Sequence, residues 1–428
     1  MATSSPTEFD TPSGPWDVVV VGAGAAGLVA AERAAARGLR TLLVEKNRKP
    51  GVKILISGGT RCNLTHATDA RGIVTAYGSP GRFLHSALAA LSPSDLVALV
   101  EAEGVATKIE PDTGKIFPAS DRALDVLGAF LARLRRTDCE LALDEALLDV
   151  EQTAVGFRLT TRKRLLDTKK LVLTTGGQSY PGCGTTGDGY RLATKLGHSL
   201  IAPRPALVPV TISTPWVQEL SGVTVPDTLL SVIDPGQIDN KRSGLLDTRR
   251  GSLLFTHFGL SGPVALDISR VVTAHERPQS LRMECDFLPN ITLAALEDEI
   301  KVAAAAAGKK QLLSLVPETV PRRLAESLLR AAGLDAEKKA GELSKIERHS
   351  LARALKQTMI AINGTRGFLK AEVTAGGIPL AEVDSRTLES KIVPGLHLAG
   401  ELLDLDGPIG GYNFQAAFST GWLTGLSV

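Results

Sequence analysis

The sequence predicts an α/β fold: a nucleotide-binding domain, discontinuous in the chain, interrupted by an inserted β-rich domain and a small helical domain. Three observations predict it. An apolar strand near residue 20 runs into a glycine-spaced turn and an alanine-rich helix; short strands over 207–286 give way to helical spacing over 291–357; and strand-then-helix material returns at 395–425.

The opening strand is Val18–Val21, four valines in a row after Asp17, a pattern that fits a strand buried on both faces. Gly22, Gly24 and Gly27 follow it. Gly22 permits a tight turn, Gly24 lets a pyrophosphate approach the backbone, and Gly27 lets the helix pack close to the strand. Ala25 and Ala26 begin that helix, whose free N–H groups and positive end would hold phosphate oxygens. A second apolar strand, Leu42–Val44, ends on Glu45 and Lys46, with Glu45 18 positions after Gly27. Glu45 would accept hydrogen bonds from an adenosine ribose, and its charge disfavours a 2′-phosphate. The glycines, the helix and the acid together predict FAD or NAD.

Residues 47–66 read as a glycine-rich loop. Residues 82–137 read as helices, with Leu84, Leu88 and Leu91 and then Leu96, Leu99 and Val100 at helical spacing, and with Lys115–Pro118 as a short extended segment between them. Short strands follow at 140–143, 146–151, 156–161 and 170–174. The domain boundaries predicted are a disordered tail over 1–15, a nucleotide domain from 16–200 with 350–428, a β-rich substrate-side domain over 201–290 and a helical domain over 291–349.

Two later blocks separate FAD from NAD. An apolar strand ends on the small residues Thr175, Gly176 and Gly177, which let backbone pass close to a cofactor. A second ends on Gly400 and Glu401, an acid suited to ribityl or phosphate-proximal hydroxyls, and Gly410-Gly411 then open the last helix through Tyr412, Asn413, Phe414 and Gln415. That helix start would donate N–H groups to the flavin C2 carbonyl and stabilise the reduced ring. FAD is therefore the cofactor expected, with NAD(P)H as a transient donor. A further GxGxxG match, Gly182–Gly187, does not directly follow a strand, and no acid ends a strand some 20 residues on, so it marks a helix start rather than a second dinucleotide domain.

Composition narrows the rest. With 48 basic and 46 acidic side chains the charge nearly cancels, which predicts no nucleic-acid partner and points to a small-molecule substrate. Cys62, Cys139, Cys183 and Cys285 form no CxxC, arguing against a disulfide framework, a metal site or a dithiol relay, and for a reduced cytoplasmic protein. No apolar run reaches the roughly 20 residues that span a bilayer, so no membrane partner is expected. A monomer or small homo-oligomer is expected.

The run Lys53-Ile-Leu-Ile-Ser57-Gly58-Gly59-Thr60-Arg61-Cys62-Asn63-Leu-Thr65 resembles the KxLISGGGRCNxTN signature of the BaiN-like flavoproteins, the aminoacetone oxidase family. Thr175–Pro181 with Thr186–Tyr190, Leu254–Pro263, and Ala399–Gly407 with Gly410–Gln415 carry the same resemblance, which covers about 16–425. It implies a Rossmann-like FAD domain of the two-dinucleotide-motif type with an inserted β-rich domain and a small helical domain. It also implies that Ser57, Gly58, Gly59, Arg61, Cys62 and Asn63, with Lys53, line flavin and pyrophosphate, and that Gly411–Gln415 lie beside the isoalloxazine. Thr60 and His66 depart from the usual glycine and asparagine. His257, in Thr256–Ser261, and Tyr412 are the candidate acid–base residues. Ser261 reads as the cap of a helix from Pro263. The chemistry expected is two-electron hydride transfer through flavin N5, as an NAD(P)H-driven reduction of an activated C=C or an oxidation of an amine or alcohol. The alternative is a redox sensor or RNA-associated factor without turnover.

Overall fold

The computed structural model describes residues 14–238, 243–306 and 308–428. The expected tail over 1–15 therefore lies outside them except for residues 14 and 15. The chain divides into two compact units, residues up to 204 together with 373–428, and residues 205–372.

The first unit is built on a seven-stranded sheet. Trp16–Val21 lies parallel between Thr41–Val44 and Leu165–Leu173, and Glu140–Ala142 extends the sheet beyond Thr41–Val44. Period-two alternation sends the four valines both ways. Val18 and Val20 join the core with the helix Ala25–Ala36, and Val19 and Val21 join the core on the opposite face. The long strand Leu165–Leu173 divides its other edge: Leu165–Thr168 pairs antiparallel with Phe157–Thr160, while Leu171–Leu173 pairs parallel with Leu396–Leu398. A returning segment from the far end of the chain thus completes the sheet.

The second unit is an antiparallel seven-stranded sheet around the long hairpin Thr224–Ile238 and Ser243–Thr256. The helices Pro263–Ala274, Leu293–Ala306, Arg322–Ala331 and Lys345–Lys356 share one hydrophobic core with it. The expected split into a β-rich domain to 290 and a helical domain to 349 is corrected here. Thr358–Ala361, after the last of those helices, pairs with Arg282–Asp286 and so carries the unit to 372. Ser261 is corrected too. It ends the strand Gly259–Ser261, and Gly262, at φ +83°, precedes Pro263 as an N-cap without a side-chain hydrogen bond. Among the described residues, no single helix is long and apolar enough to cross a membrane.

Candidate functional site

Gly22 and Gly27 are required by the protein itself. Gly22 has φ +100°, and a Cβ there would meet Thr174 O at 2.8 Å; a Cβ on Gly27 would meet Gly22 O at 1.8 Å. Gly24 differs, because a Cβ on it would have nothing within 4 Å. Gly24 is also the N-cap of Ala25–Ala36 without a side-chain cap or an acid in the first turn, so its open side faces helix donors that no side chain takes. Glu45 is buried and holds the turn from inside. Its Oε2 accepts from Ala23 N and its Oε1 from Asn47 N, both at 2.8 Å. Lys46 is engaged by Thr186 Oγ1 at 2.7 Å and by Asp188.

The segment expected as a loop over 47–66 is partly helical, Val52–Thr60, because Ile54 is fully buried and anchors it in the core. The helix breaks at Ser57, Gly58 and Gly59, and Gly58, Gly59 and Thr60 all take positive φ. Thr60 adopts +70°, so the usual glycine conformation persists with a threonine in it, at a cost of order 1 kcal/mol. Ser57 Oγ donates to Ile54 O at 2.8 Å. Arg61 is committed within the protein: it pairs with Glu110 at 2.7 Å and lies 4.0 Å over the Phe117 ring. The Cys62 side chain is fully buried, and burial pushes its thiol up to about 12. The side chains of Arg61 and Cys62 therefore hold the loop's shape, and the exposed backbone at Gly58–Thr60 is what it presents outward.

Three segments converge on Glu401. Lys53 Nζ donates to Glu401 Oε2 at 2.5 Å and to Ser179 Oγ at 2.7 Å; Ser179 Oγ donates to Glu401 Oε1 at 2.7 Å and Thr374 N to the same oxygen at 2.8 Å. The Thr374 hydroxyl accepts from Gln178 N at 2.8 Å and Ser179 N at 3.0 Å. The sequence offers Glu401 as a ligand for ribityl hydroxyls without showing this internal cage, since Ser179 and Thr374 carry no motif of their own. Beside it, Gly177 approaches Thr374 so closely that a Cβ would meet Thr374 Oγ1 at 2.4 Å, while Gly176 takes φ +72°. The Thr175 hydroxyl is buried with no hydrogen-bond partner among the described residues. The Tyr190 phenol is raised well above its usual range by burial, then by the Glu401 and Asp404 charges.

The last helix, Tyr412–Ser427, starts from Gly411 at φ +93°, again without a side-chain cap or an acid in its first turn. A Cβ on Gly411 would meet Thr65 C and O at 2.5 Å, so glycine is obligatory. Asn63 locks that contact: its amide donates to Thr65 O at 3.0 Å and accepts from Gly411 N at 2.9 Å. His66 stacks on Tyr412 with centroids 4.7 Å apart, and its Nδ1 lies 3.1 Å from Gly410 O. Tyr77 OH donates to Tyr412 O at 3.1 Å. Asn413 ties down the preceding loop, accepting from Gly407 N at 2.8 Å and donating to Gly407 O at 3.0 Å. Phe414 packs against Phe418 at 6.0 Å. Gln415 is fully buried, accepting from Thr65 Oγ1 at 2.6 Å and donating to Leu91 O at 3.1 Å. Its side chain is a structural tie rather than one reaching a cofactor.

His257 is exposed in the second unit, edge-on to Phe258 at 5.0 Å. The first unit fits a dinucleotide: it carries two helix starts capped by glycine alone, one beside open space and one behind a stacked His–Tyr pair, and an unsatisfied hydroxyl at a strand end.

Residues 16–427 match the family described as the HI0933-like protein Rossmann domain. The chain is 34% identical over 411 residues to a ribosomal RNA dihydrouridine synthase of Escherichia coli K12, covering 95% of this chain and 96% of that protein. It is 32% identical over 416 residues to the protein of that name from Haemophilus influenzae, covering 96% and 98%. It is 30% identical over 409 residues to a 3-dehydro-bile acid delta(4,6)-reductase of Clostridium scindens, covering 95% and 97%. The relatives named for ribosomal RNA overturn the expectation of a small-molecule substrate without a nucleic-acid partner. That expectation rested on near-zero net charge, which averages over the whole surface and does not register a local binding face. The chain belongs to the HI0933-like Rossmann family, the BaiN- and aminoacetone-oxidase-like FAD-binding flavoprotein oxidoreductases.

Proposed function

We propose that this protein is an FAD-dependent reductase that saturates an activated C=C bond, and that its substrate is a uracil ring in ribosomal RNA. One observation carries the reading. Relatives aligned along at least 95% of the chain bear two names, dihydrouridine synthase and delta(4,6)-reductase, and both describe hydrogenation of a C=C conjugated to a carbonyl. In uracil that bond is C5=C6, conjugated to the C4 carbonyl. Neither name describes an oxidation, so the amine or alcohol oxidase variant loses its support.

When bound, FAD supplies hydride transfer at N5. The chain's own residues bind and orient. The Gly24 backbone and the N–H groups of Ala25, Ala26 and Gly27 would hold the pyrophosphate, and Glu45 the adenosine ribose. Glu401, braced by Lys53, would serve the ribityl hydroxyls, and the helix start at Gly411–Phe414 would offer its N–H groups to the flavin. In uracil the hydride adds to C6, the carbon β to the carbonyl, and C5 takes a proton. Tyr412, held by its stack on His66, is the proposed proton source. NAD(P)H is the proposed source of the two electrons, and the cytoplasm the proposed compartment.

The test supplies the purified flavoprotein anaerobically with NADH or NADPH and an unmodified transcript of large-subunit ribosomal RNA, then digests the RNA to nucleosides for mass spectrometry. The expected product is uridine heavier by two hydrogens, formed only when pyridine nucleotide is present. RNA that binds but gains no hydrogen, while the flavin bleaches and reoxidises normally, favours an RNA-associated factor without turnover. A flavin that neither nucleotide bleaches rules out that electron source.

A further inference from the structure

Charge that nearly cancels over the chain does not cancel locally. Between 301 and 356 there are twelve Lys and Arg against six Asp and Glu. The backbone concentrates part of this excess. Gln311 and Lys339 form an antiparallel bridge, flanked by hydrogen bonds from Leu312 N to Lys338 O and from Ala340 N to Lys310 O, both 2.8 Å. The two segments close up where Gly341 N donates to Gly308 O at 3.2 Å; a Cβ on Gly341 would come within 3.0 Å of Gly308 Cα, so a larger residue there would push them apart. The bridge thereby brings Lys309-Lys310 and Lys338-Lys339 onto adjoining segments in a staggered register, with Lys310 beside Ala340, Lys338 beside Leu312 and Lys339 opposite Gln311.

Like charges gathered on two adjoining segments raise the local positive potential unless acids answer them. Two of the acids nearby are occupied. Glu347 takes Lys338 at 2.6 Å, and Lys338 with Ser344 holds that carboxyl down at about 2. Glu337 accepts from Gln311 Nε2 at 2.9 Å. Lys309, Lys310 and Lys339 are exposed and make no ion pair among the described residues. The fold has paired the one half-buried lysine of the four and left three pointing outward.

We infer that this lysine bridge is a phosphate-contact surface for RNA, an inference that rests on the ribosomal-RNA reading above. Lysine is a compact charge on a flexible stem, suited to phosphates whose positions vary, and such contacts fix the register of a nucleic acid without reading its sequence. Phosphates entering beside these lysines release counterions, which makes the binding steeply salt-dependent. An anionic bilayer would also answer exposed lysines. RNA is favoured because the relatives that match this chain almost end to end are named for it.

The test uses the full-length, flavin-loaded protein with Lys309, Lys310 and Lys339 all changed to Gln, and fluorescence anisotropy of a labelled large-subunit ribosomal RNA transcript between about 50 and 200 mM salt. The expected result is a loss of affinity of about tenfold or more and a log–log salt slope shallower by about 2, with flavin content and bleaching by NADPH unchanged. The triple change to Arg, which keeps the charge, should keep affinity and slope; its failure would point to packing and overturn the inference. Wild-type affinity and slope in the Gln variant overturn the surface but leave the RNA substrate standing. Absence of RNA binding by the wild-type protein removes the substrate reading and the surface together. If the Gln variant instead loses binding to phosphatidylglycerol vesicles while its RNA affinity holds, the surface belongs to a membrane and the inference fails.

Discussion

The Lys53 ammonium meets the Glu401 carboxylate at 2.5 Å across 348 residues of sequence, and Ser179 Oγ bonds to both. One ion pair thus pins the helix after the second strand, the end of the central strand and the last glycine–acid turn. Both side chains are largely buried, so removing one leaves the other without its partner. Glu401→Ala should cost about 1–3 kcal/mol in urea unfolding, and Glu401→Gln less, since an amide oxygen still accepts from Ser179 and Thr374. The alanine variant should also lose bound FAD, read from its absorbance. Unchanged stability in Glu401→Ala would mean that water replaces the carboxylate and that the latch is not structural.

Gly24 and Gly27 should separate cofactor binding from folding. Gly27→Ala forces a Cβ to 1.8 Å from Gly22 O and should destabilise the protein by several kcal/mol even without cofactor. Gly24→Ala meets nothing in the protein, so apo stability should stay within about 0.5 kcal/mol while FAD affinity falls at least about tenfold. Undiminished FAD affinity in Gly24→Ala would move the pyrophosphate away from this turn.

His397 should give the protein an acid-sensitive limb. It is fully buried on Leu396–Leu398, and neither ring nitrogen has a hydrogen-bond partner among the described residues. Burial, more than any nearby charge, brings its pKa down to about 4. The unfolded chain takes up that proton near pH 6.5. Between the two values the unfolded state holds more protons, so stability is full above about 6.5 and falls toward pH 4, by up to roughly 3 kcal/mol. His397→Leu should flatten that limb relative to wild type in urea titrations at several pH values. Parallel curves for the two proteins would show that the ring finds a proton acceptor inside the fold.

Thiol labelling should follow burial. Burial pushes Cys62 and Cys139 up to about 12 and raises Cys285 as well, while Cys183 remains partly accessible. In the native protein at pH 8, iodoacetamide should modify Cys183 first and leave Cys62 and Cys285 intact until urea is added. Native labelling of Cys62 at the rate of Cys183 would show that its side chain is reachable in the folded protein.

Tyr412→Phe tests the proposed proton source. It keeps the stack on His66 and the backbone bond to Tyr77, so FAD content should hold while kcat for uridine reduction falls about 10²-fold or more. Unchanged kcat, with wild-type flavin bleaching, would remove Tyr412 from the proton step.

How much the sequence revealed depended on how local each cause was. The first βαβ turn was legible because each glycine answers a contact within a few residues or on the adjacent strand, as Gly27 does with Gly22. The helix over Val52–Thr60 was not, because Gly58 and Gly59 dominate its composition while its cause is the burial of Ile54 by distant elements. The boundary near 350 was missed for the same reason: Thr358–Ala361 reads as ordinary strand, and only its pairing with Arg282–Asp286 assigns it. Gln415 was a motif position whose side chain serves Thr65 and Leu91, partners more than 300 residues away that no spacing announces. Relatives named for ribosomal RNA were not foreseeable from composition, because a net charge summed over 428 residues does not register how charge is distributed locally.

The divided edge of Leu165–Leu173 has a consequence in time. During synthesis the half facing Phe157–Thr160 can zip as a hairpin at once, but Leu171–Leu173 must wait for Leu396–Leu398. Through the whole translation of the intervening unit, an apolar stretch of backbone stays unmated and open to wrong partners. A nascent chain of this design gains from a chaperone that shields that rim, and its slowest folding phase should be the late docking of the returning strand.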